Sequence, residues 1–300
     1  MKKHIFKGVA TALVTPFSEG RIDFSALSRL VEEQIFAGVD ALVAVGTTGE
    51  SATLSDAEKY DVISAVVKVA AHRVPVIAGA GSNDTAHAVE LCRASKDAGA
   101  DALLCVTPYY NKTSAKGIVL HYAAIADATD LPVIVYNVPS RTGVDISPQT
   151  YAELASLPNV AAIKEASGNV SKLARTLSEI GDALDVFIGN DDMILPALSL
   201  GCAGTISVLS NVAPAQTKMM HSLFFEGKNE DAVRLFLKYV PLIDALFSDV
   251  NPVPVKAALS ILGKCRSEVR LPLVETDGAV LDKLRRELER VGLLNVGGRR

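Results

Sequence analysis

The feature that most constrains this chain is a set of short, continuous apolar runs rich in β-branched residues. They occupy residues 9–14, 41–45, 74–78, 102–106, 133–136, 160–163, 186–188 and 205–208. A strand with one wet face alternates apolar and polar side chains, whereas a run with no alternation suits a parallel strand covered on both faces. The runs recur at intervals of roughly 20 to 33 residues, enough for a helical crossover between parallel strands. The intervening segments carry helix signals. Ser25 is a good N-cap ahead of Leu27, Leu30, Val31, Gln34 and Ile35, and Ser55-Asp56-Ala57-Glu58 has capping-box spacing ahead of Val62, Ile63, Val66 and Val67. Asn83-Asp84-Thr85 opens another helix, and Gly38 and Gly99 stand where helices end before strands. Eight strand–helix units in series predict an α/β fold, a (β/α)₈ TIM barrel. The alternative is a doubly wound open sheet; even spacing without a break in composition favours closure.

After about residue 225 the alternation stops. Phe225-Glu226-Gly227-Lys228 reads as a break, 230–247 as helix, Asn251-Pro252-Val253-Pro254-Val255-Lys256 as a proline-rich turn entering a helix, and 277–291 as a final amphipathic helix. The expected organisation is a catalytic barrel over 1–225 and a C-terminal helical domain over 226–300, with 292–300 a frayed end. The 300 residues, 49% hydrophobic and 21% charged, suffice for a large core. Net charge is −4 and no basic stripe occurs, which argues against nucleic acid and anionic membrane as partners. Lys7 interrupts the apolar start, so it reads as a first strand and not as a signal peptide. No apolar run approaches the roughly 18 residues of a spanning helix. Cys92, Cys105, Cys202 and Cys265 are far apart with no paired spacing, which fits reduced thiols and a cytoplasmic location. The five histidines are scattered, and no metal or cofactor is expected.

In a barrel of this kind the chemistry collects where strands hand over to the following loops. The sixth run ends in Lys164. Burial there disfavours the ammonium and can bring the amine down from about 10.4, and a neutral amine attacks ketones to form imines. The plain alternative is a lysine reaching out to solvent. Tyr136 closes the neighbouring fifth run, from which a phenol can pass protons. Gly46-Thr47-Thr48-Gly49 offers two hydroxyls and free backbone N–H groups to a carboxylate, and Arg141, in Pro139-Ser140-Arg141-Thr142-Gly143, offers a bidentate fork. Each has an ordinary structural alternative. Together they place an amine, proton carriers and carboxylate binders at neighbouring strand ends. No dinucleotide fingerprint, P-loop or serine-nucleophile elbow occurs.

Gly46-Thr47-Thr48-Gly49-Glu50-Ser51, Thr107-Pro108-Tyr109-Tyr110-Asn111, the Tyr136 to Gly143 stretch, Ile163-Lys164-Glu165-Ala166-Ser167-Gly168 and Asn251-Pro252-Val253-Pro254-Val255-Lys256 carry a resemblance. In this order they resemble the dihydrodipicolinate synthase family, pyruvate-dependent class I aldolase-type barrels of the N-acetylneuraminate lyase superfamily. The resemblance covers nearly the whole chain. It implies condensation of pyruvate with L-aspartate 4-semialdehyde, with Lys164 forming the Schiff base and Thr47, Tyr136 and Tyr110 forming a proton relay. Tyr110 would serve a neighbouring subunit. Thr48 would bind the pyruvate carboxylate, Arg141 would hold the relay and the semialdehyde carboxylate, and Gly189 and Ile206 would line the site through their backbones. It also implies no cofactor and a homo-oligomer, a tetramer built from tight dimers. Sister aldolases acting on N-acetylneuraminate or sugar acids remain the alternative. A sialic acid lyase usually carries serine where Thr47 stands, and Ser-Arg-Thr-Gly around Arg141 favours the synthase. A barrel that binds a keto acid without turnover is the third reading.

Ser51, Ala52, Asn83 and Tyr109 match the family's allosteric pocket for lysine. The chain departs from the pattern at Lys59, where many sensitive members have histidine, and at His87, where a glutamate would hold the lysine ammonium. Loss of that carboxylate removes much of the attraction, so inhibition by lysine is expected to be weak or absent.

Overall fold

The computed structural model describes residues 4–294. Eight parallel strands close into a barrel: β1 (Gly8–Ala12), β4 (Ala41–Ala44), β5 (Val76–Gly79), β6 (Ala102–Val106), β7 (Val133–Asn137), β8 (Val160–Glu165), β9 (Asp185–Ile188) and β10 (Gly204–Ser207). Strand β1 pairs with both β4 and β10, so the sheet has no edge and the open-sheet alternative is excluded. Two short strands, β2 (Phe17–Ser18) and β3 (Arg21–Ile22), form a small antiparallel hairpin after β1. Helices α1 (Phe24–Phe36), α2 (Asp56–Ala70), α3 (Thr85–Asp97), α4 (Ala115–Asp127), the one-turn α5 (Pro139–Thr142), α6 (Pro148–Leu154), α7 (Val170–Ile180), α8 (Ile194–Ser199) and α9 (Pro214–Phe225) fill the connections. They are followed by α10 (Asn229–Leu246), α11 (Val253–Ile261) and α12 (Gly278–Val291).

The continuous apolar runs are explained by two cores. Ala10, Val43, Ile77, Leu104, Ile134, Ala162 and Ile206 fill the barrel interior, where the rings of Phe6 and Phe187 stack 4.1 Å apart. The alternate residues Val9, Leu42, Leu103, Val135, Ile163 and Val186 face the helices. Both faces are dry, so most positions in the two-residue period are apolar, and buried polar strand residues such as Thr11, Asn137, Glu165 and Thr205 are held by side-chain hydrogen bonds.

The capping box at Ser55 and Glu58 forms as its spacing predicts, and Gly38 and Gly99 end α1 and α3 with φ of 83° and 90°. The start of α1 lies earlier than expected: Asp23, not Ser25, caps it, its carboxylate accepting from the Ala26 N–H at 2.8 Å. Helices α10 and α12 pack on the barrel, not apart from it. Phe236, Tyr239, Leu242, Leu284 and Leu288 share one buried cluster with Leu30 of α1, Leu195 and Leu198 of α8, and Leu209 and Val212 beyond β10. The expected frayed end lies mostly outside the described residues. Among the described residues no helix is long and apolar enough to cross a membrane.

Candidate active site

All eight strands point the same way, so their carboxyl ends and the loops beyond share one face of the barrel. Lys164 and Tyr136 are register partners on β8 and β7, each 7% exposed. The lysine Nζ lies 4.2 Å from the centre of the tyrosine ring. Beyond β9, Gly189 leaves the space that the lysine stem needs: a Cβ there would stand 2.8 Å from Lys164 Cε. Any larger residue would press on the lysine stem and on the Ala166 methyl, also 2.8 Å away.

The neighbours of these two residues on the same strands point outward and tie the strand ends together. Glu165 is 1% exposed and accepts from the Tyr151 hydroxyl at 2.9 Å, the Ser167 N–H at 2.8 Å and the Asn137 amide at 3.2 Å. Lys172 stands 3.4 Å away and also pairs with the exposed Asp145. Asn137 and Glu165 are themselves register partners, so one side-chain bond fixes the strand pair that presents Tyr136 and Lys164. Burial, followed by the Glu165 charge, pushes the Tyr151 phenol well above its ordinary value, which keeps it a donor.

The opposite wall is the turn Thr47–Gly49. The Thr15 hydroxyl donates to the Gly49 carbonyl at 2.7 Å. Thr48 is 3% exposed, and its Oγ1 accepts from the Asn251 amide at 3.0 Å, which leaves the hydroxyl proton free to donate. Arg141, held on α5, donates to the backbone carbonyl of the same Asn251 at 3.1 Å. Asn251 thus links the hydroxyl wall to the guanidinium.

These elements enclose a cavity of about 190 Å³ lined by Lys164, Tyr136, Thr47, Thr48, Arg141 and Gly189, among others. Two residues of the sequence-derived set stand elsewhere. Ile206 is fully buried in the barrel interior, outside the lining of this cavity. Tyr110 is 91% exposed, with a left-handed φ of 66°. Sequence reasoning passed over Asn190 and Asn251, which both line the cavity. Among the described residues their Oδ1 atoms are buried with no hydrogen-bond partner. Asn190 follows a strand end and Asn251 opens the proline-rich motif; those positions were the available signal. Asp191 was missed as well. Its Oδ2 accepts from the Val208 and Leu209 N–H groups at 2.9 and 2.8 Å and so ties the β9 loop to the turn after β10. Burial pushes its carboxyl up from the usual range.

A second cavity of about 470 Å³ shares Thr47, Tyr136, Arg141 and Asn251 with the first and is also lined by Ser51, Ala52, Lys59, His87 and Tyr109. Asn83 is not part of its lining; its backbone carbonyl accepts from Asn111 at 2.9 Å. Lys59 and His87 each hold an oxygen of the Asp56 carboxylate, both at 2.9 Å. Lys59 first and His87 second hold that carboxyl below its ordinary value.

Fold and cleft together define a class: a (β/α)₈-barrel enzyme built around a buried lysine at the end of its sixth barrel strand. Residues 5–291 match the model of the dihydrodipicolinate synthetase family, and the chain belongs to that family. It is 48% identical over 280 residues to the 4-hydroxy-tetrahydrodipicolinate synthase of Geobacter metallireducens, covering 93% of this chain and 97% of the relative. The dihydrodipicolinate synthase of Thermotoga maritima superposes with a TM-score of 0.96 at 42% identity, over 97% of this chain and 100% of that one. The chloride-inhibited dihydrodipicolinate synthase of Acinetobacter baumannii, complexed with pyruvate, superposes with a TM-score of 0.94 at 41% identity, over 97% of this chain and 100% of that one.

Proposed function

We propose that the chain condenses pyruvate with L-aspartate 4-semialdehyde through a Schiff base on Lys164, giving 4-hydroxy-tetrahydrodipicolinate for diaminopimelate and lysine biosynthesis. The observation that carries this reading is the buried amine, 4.2 Å from the Tyr136 ring centre, in a cavity that also holds Thr47, Thr48 and Arg141. The Lys164 amine adds to the pyruvate ketone and one water leaves, with Tyr136 and Thr47 moving the protons. The free Thr48 hydroxyl proton and the turn's N–H groups hold the pyruvate carboxylate. The iminium withdraws electrons, a methyl proton is lost, and the resulting enamine carbon attacks the aldehyde. The substrate's own amine then attacks the imine carbon, closes the ring and expels the Lys164 amine. Arg141 supplies the fork for the semialdehyde carboxylate. The unpartnered Oδ1 atoms of Asn190 and Asn251 suit its ammonium, since a buried acceptor without a donor is costly.

Tyr110 acts in this reading on the site of an adjacent subunit of a homo-oligomer, a tetramer of tight dimers; its 91% exposure leaves the ring free to reach a neighbour. Mixing a Tyr110→Phe chain with a Lys164→Ala chain should then restore activity that neither has alone. Lysine inhibition is weak or absent, because the second cavity presents Lys59 and His87, the latter where a carboxylate would be needed to hold an ammonium. A dose–response curve with strong inhibition at physiological lysine would refute this. The buried free thiols Cys92, Cys105 and Cys202 support a reducing, cytoplasmic setting.

Borohydride with pyruvate should add mass at Lys164 in the wild type and nowhere in Lys164→Ala. No adduct would defeat the Schiff-base reading. An adduct without cyclic product from L-aspartate 4-semialdehyde would hand the chain to a sister aldolase.

A further inference from the structure

Two sequence motifs carry residues that the chemistry above leaves unused: Glu50 in Gly46-Thr47-Thr48-Gly49-Glu50-Ser51, and Lys256 in Asn251-Pro252-Val253-Pro254-Val255-Lys256. They meet. Lys256 Nζ donates to Glu50 Oε1 at 2.6 Å with both side chains 0% exposed. Glu50 Oε2 accepts from the Arg270 N–H at 3.1 Å. The Lys256 ammonium and the Arg270 guanidinium both lie over the Phe17 ring, 4.1 and 4.5 Å from its centre.

We propose that Glu50 and Lys256 are positioning residues, whose sealed ion pair lets a helix near the end of the chain hold the turn that presents Thr47 and Thr48 to the substrate carboxylate. This deepens the proposed reaction and rests on that reading.

The turn's own backbone supplies the second argument. The chain enters it through Val45 and leaves it through Glu50, whose φ angles are 57° and 55°. For side-chain-bearing residues, a β-branched valine above all, this region is disfavoured and persists only where surrounding contacts over-determine it. Glu50 is the one of the two with a charged side chain, and both its carboxylate oxygens are held from the C-terminal segment. The same segment supplies Asn251, which fixes the Thr48 hydroxyl and the Arg141 guanidinium. A buried ion pair is a poor device for stability alone, because apolar residues of similar volume often do as well. Fixing one backbone conformation at a functional turn gives this pair a use that apolar residues lack.

The test compares Glu50→Gln, Lys256→Met and the double variant Glu50→Gln/Lys256→Met with wild type. Each single change leaves a buried charge or its partner unpaired and should lower the thermal midpoint. The double change removes both charges, keeps an acceptor for the Arg270 N–H and should recover most of the midpoint. Its kcat/KM for pyruvate should nevertheless stay about 10-fold to 100-fold below wild type, most of the loss in KM, because a misplaced hydroxyl pair weakens carboxylate binding. The rate of borohydride-trapped adduct at limiting pyruvate should fall in parallel. Should the double variant fail to fold, the Glu50→Gln chain assayed below its midpoint decides by the same KM. A variant with wild-type pyruvate KM and trapping rate overturns the proposal. A wild-type chain that traps no pyruvate sinks both this proposal and the reading beneath it; a trapping wild type beside a wild-type-like variant sinks this proposal alone.

Discussion

The two walls of the cleft are each anchored by a buried glutamate, in opposite ways. Glu165 sits next to Lys164 in the chain, and its partners Asn137, Tyr151, Ser167 and Lys172 all come from β7 through α7. Three of those four are neutral donors, and the cation also reaches the exposed Asp145. Glu50 draws its partners from Lys256 and Arg270, across the length of the chain, and faces an ammonium with no exposure. Burial pushes that Lys256 ammonium down from its ordinary value against the pull of Glu50. One wall is therefore a product of strand neighbours, tolerant because its charge is spread over many donors. The other depends on docking of the C-terminal helices, and a single lost partner leaves a full charge stranded.

Removing the amine itself should exceed either anchor. Lys164→Ala should cut kcat at least about 10³-fold while leaving the urea midpoint close to wild type, since neither wall loses a partner. A midpoint that falls sharply would show the lysine to be part of the scaffold. The next largest effect is expected on the local wall: Glu165→Leu strands the Tyr151 hydroxyl, the Asn137 amide and Lys172 and should cost about 3–5 kcal/mol in urea unfolding. Glu165→Gln keeps an acceptor and should cost about half of that, with kcat reduced less than the stability change alone implies. If Glu165→Gln is as damaging as Glu165→Leu, the charge is not spread over neutral donors and the contrast between the walls collapses.

A pH titration probes the seam where the last barrel strand meets α9. His221 is fully buried; its Nδ1 donates to the Thr217 carbonyl at 2.9 Å and its Nε2 accepts from the Thr205 hydroxyl at 3.0 Å. Burial, opposed in part by the Thr217 bond, holds it down to about 4. Its native value lies below the unfolded value of 6.5, so the unfolded chain binds the extra proton first. The contribution is complete above about pH 6.5 and is lost as pH falls toward 4, up to about 3 kcal/mol. His221→Gln should flatten that stretch of the stability profile. An unchanged slope would assign the acid sensitivity to carboxylates.

Much of this architecture was legible in the sequence because its causes are local. Two-sided burial forces unbroken apolar runs, so the strands were readable, and with them Lys164 and Tyr136 at neighbouring strand ends. The Asn137–Glu165 tie was within reach too, since both residues directly follow those two. The other wall was not. Nothing local in Asn251-Pro252-Val253-Pro254-Val255-Lys256 tells which loop its amide and ammonium will meet, because that contact is set by how α11 packs. Asn190 escaped for a different reason: an unpaired amide oxygen is visible only once every possible partner has been placed. The cap of α1 was misread by two residues because Asp23 and Ser25 are both good caps, and only packing chose between them.

The smallest expected effect comes from the outer end of the same C-terminal clamp. The Arg270 guanidinium grips Glu58 through two bonds, at 2.9 and 2.7 Å, and also donates to the carbonyls of Thr53 and Gly20. The Arg270 hydrogen bond, ahead of a burial cost of opposite sign, holds the Glu58 carboxyl down to about 2 from 4.5. A folded value below the unfolded one means stability that is present above about pH 4.5 and drains away as pH falls toward 2. The whole shift corresponds to about 3 kcal/mol, but the side chain is 30% exposed, and solvent screening leaves about 1 kcal/mol. Glu58→Gln should therefore lower stability at pH 7 by about 1 kcal/mol and lose that difference from wild type by pH 2, with the pyruvate KM unchanged. Arg270 would still hold Glu50 through its backbone N–H, which the substitution does not touch. A raised pyruvate KM in Glu58→Gln would mean that the turn carrying Thr47 and Thr48 is held by the guanidinium at the surface and not by the buried pair. The contrast between a local wall and a docked one would then have to be redrawn around Arg270.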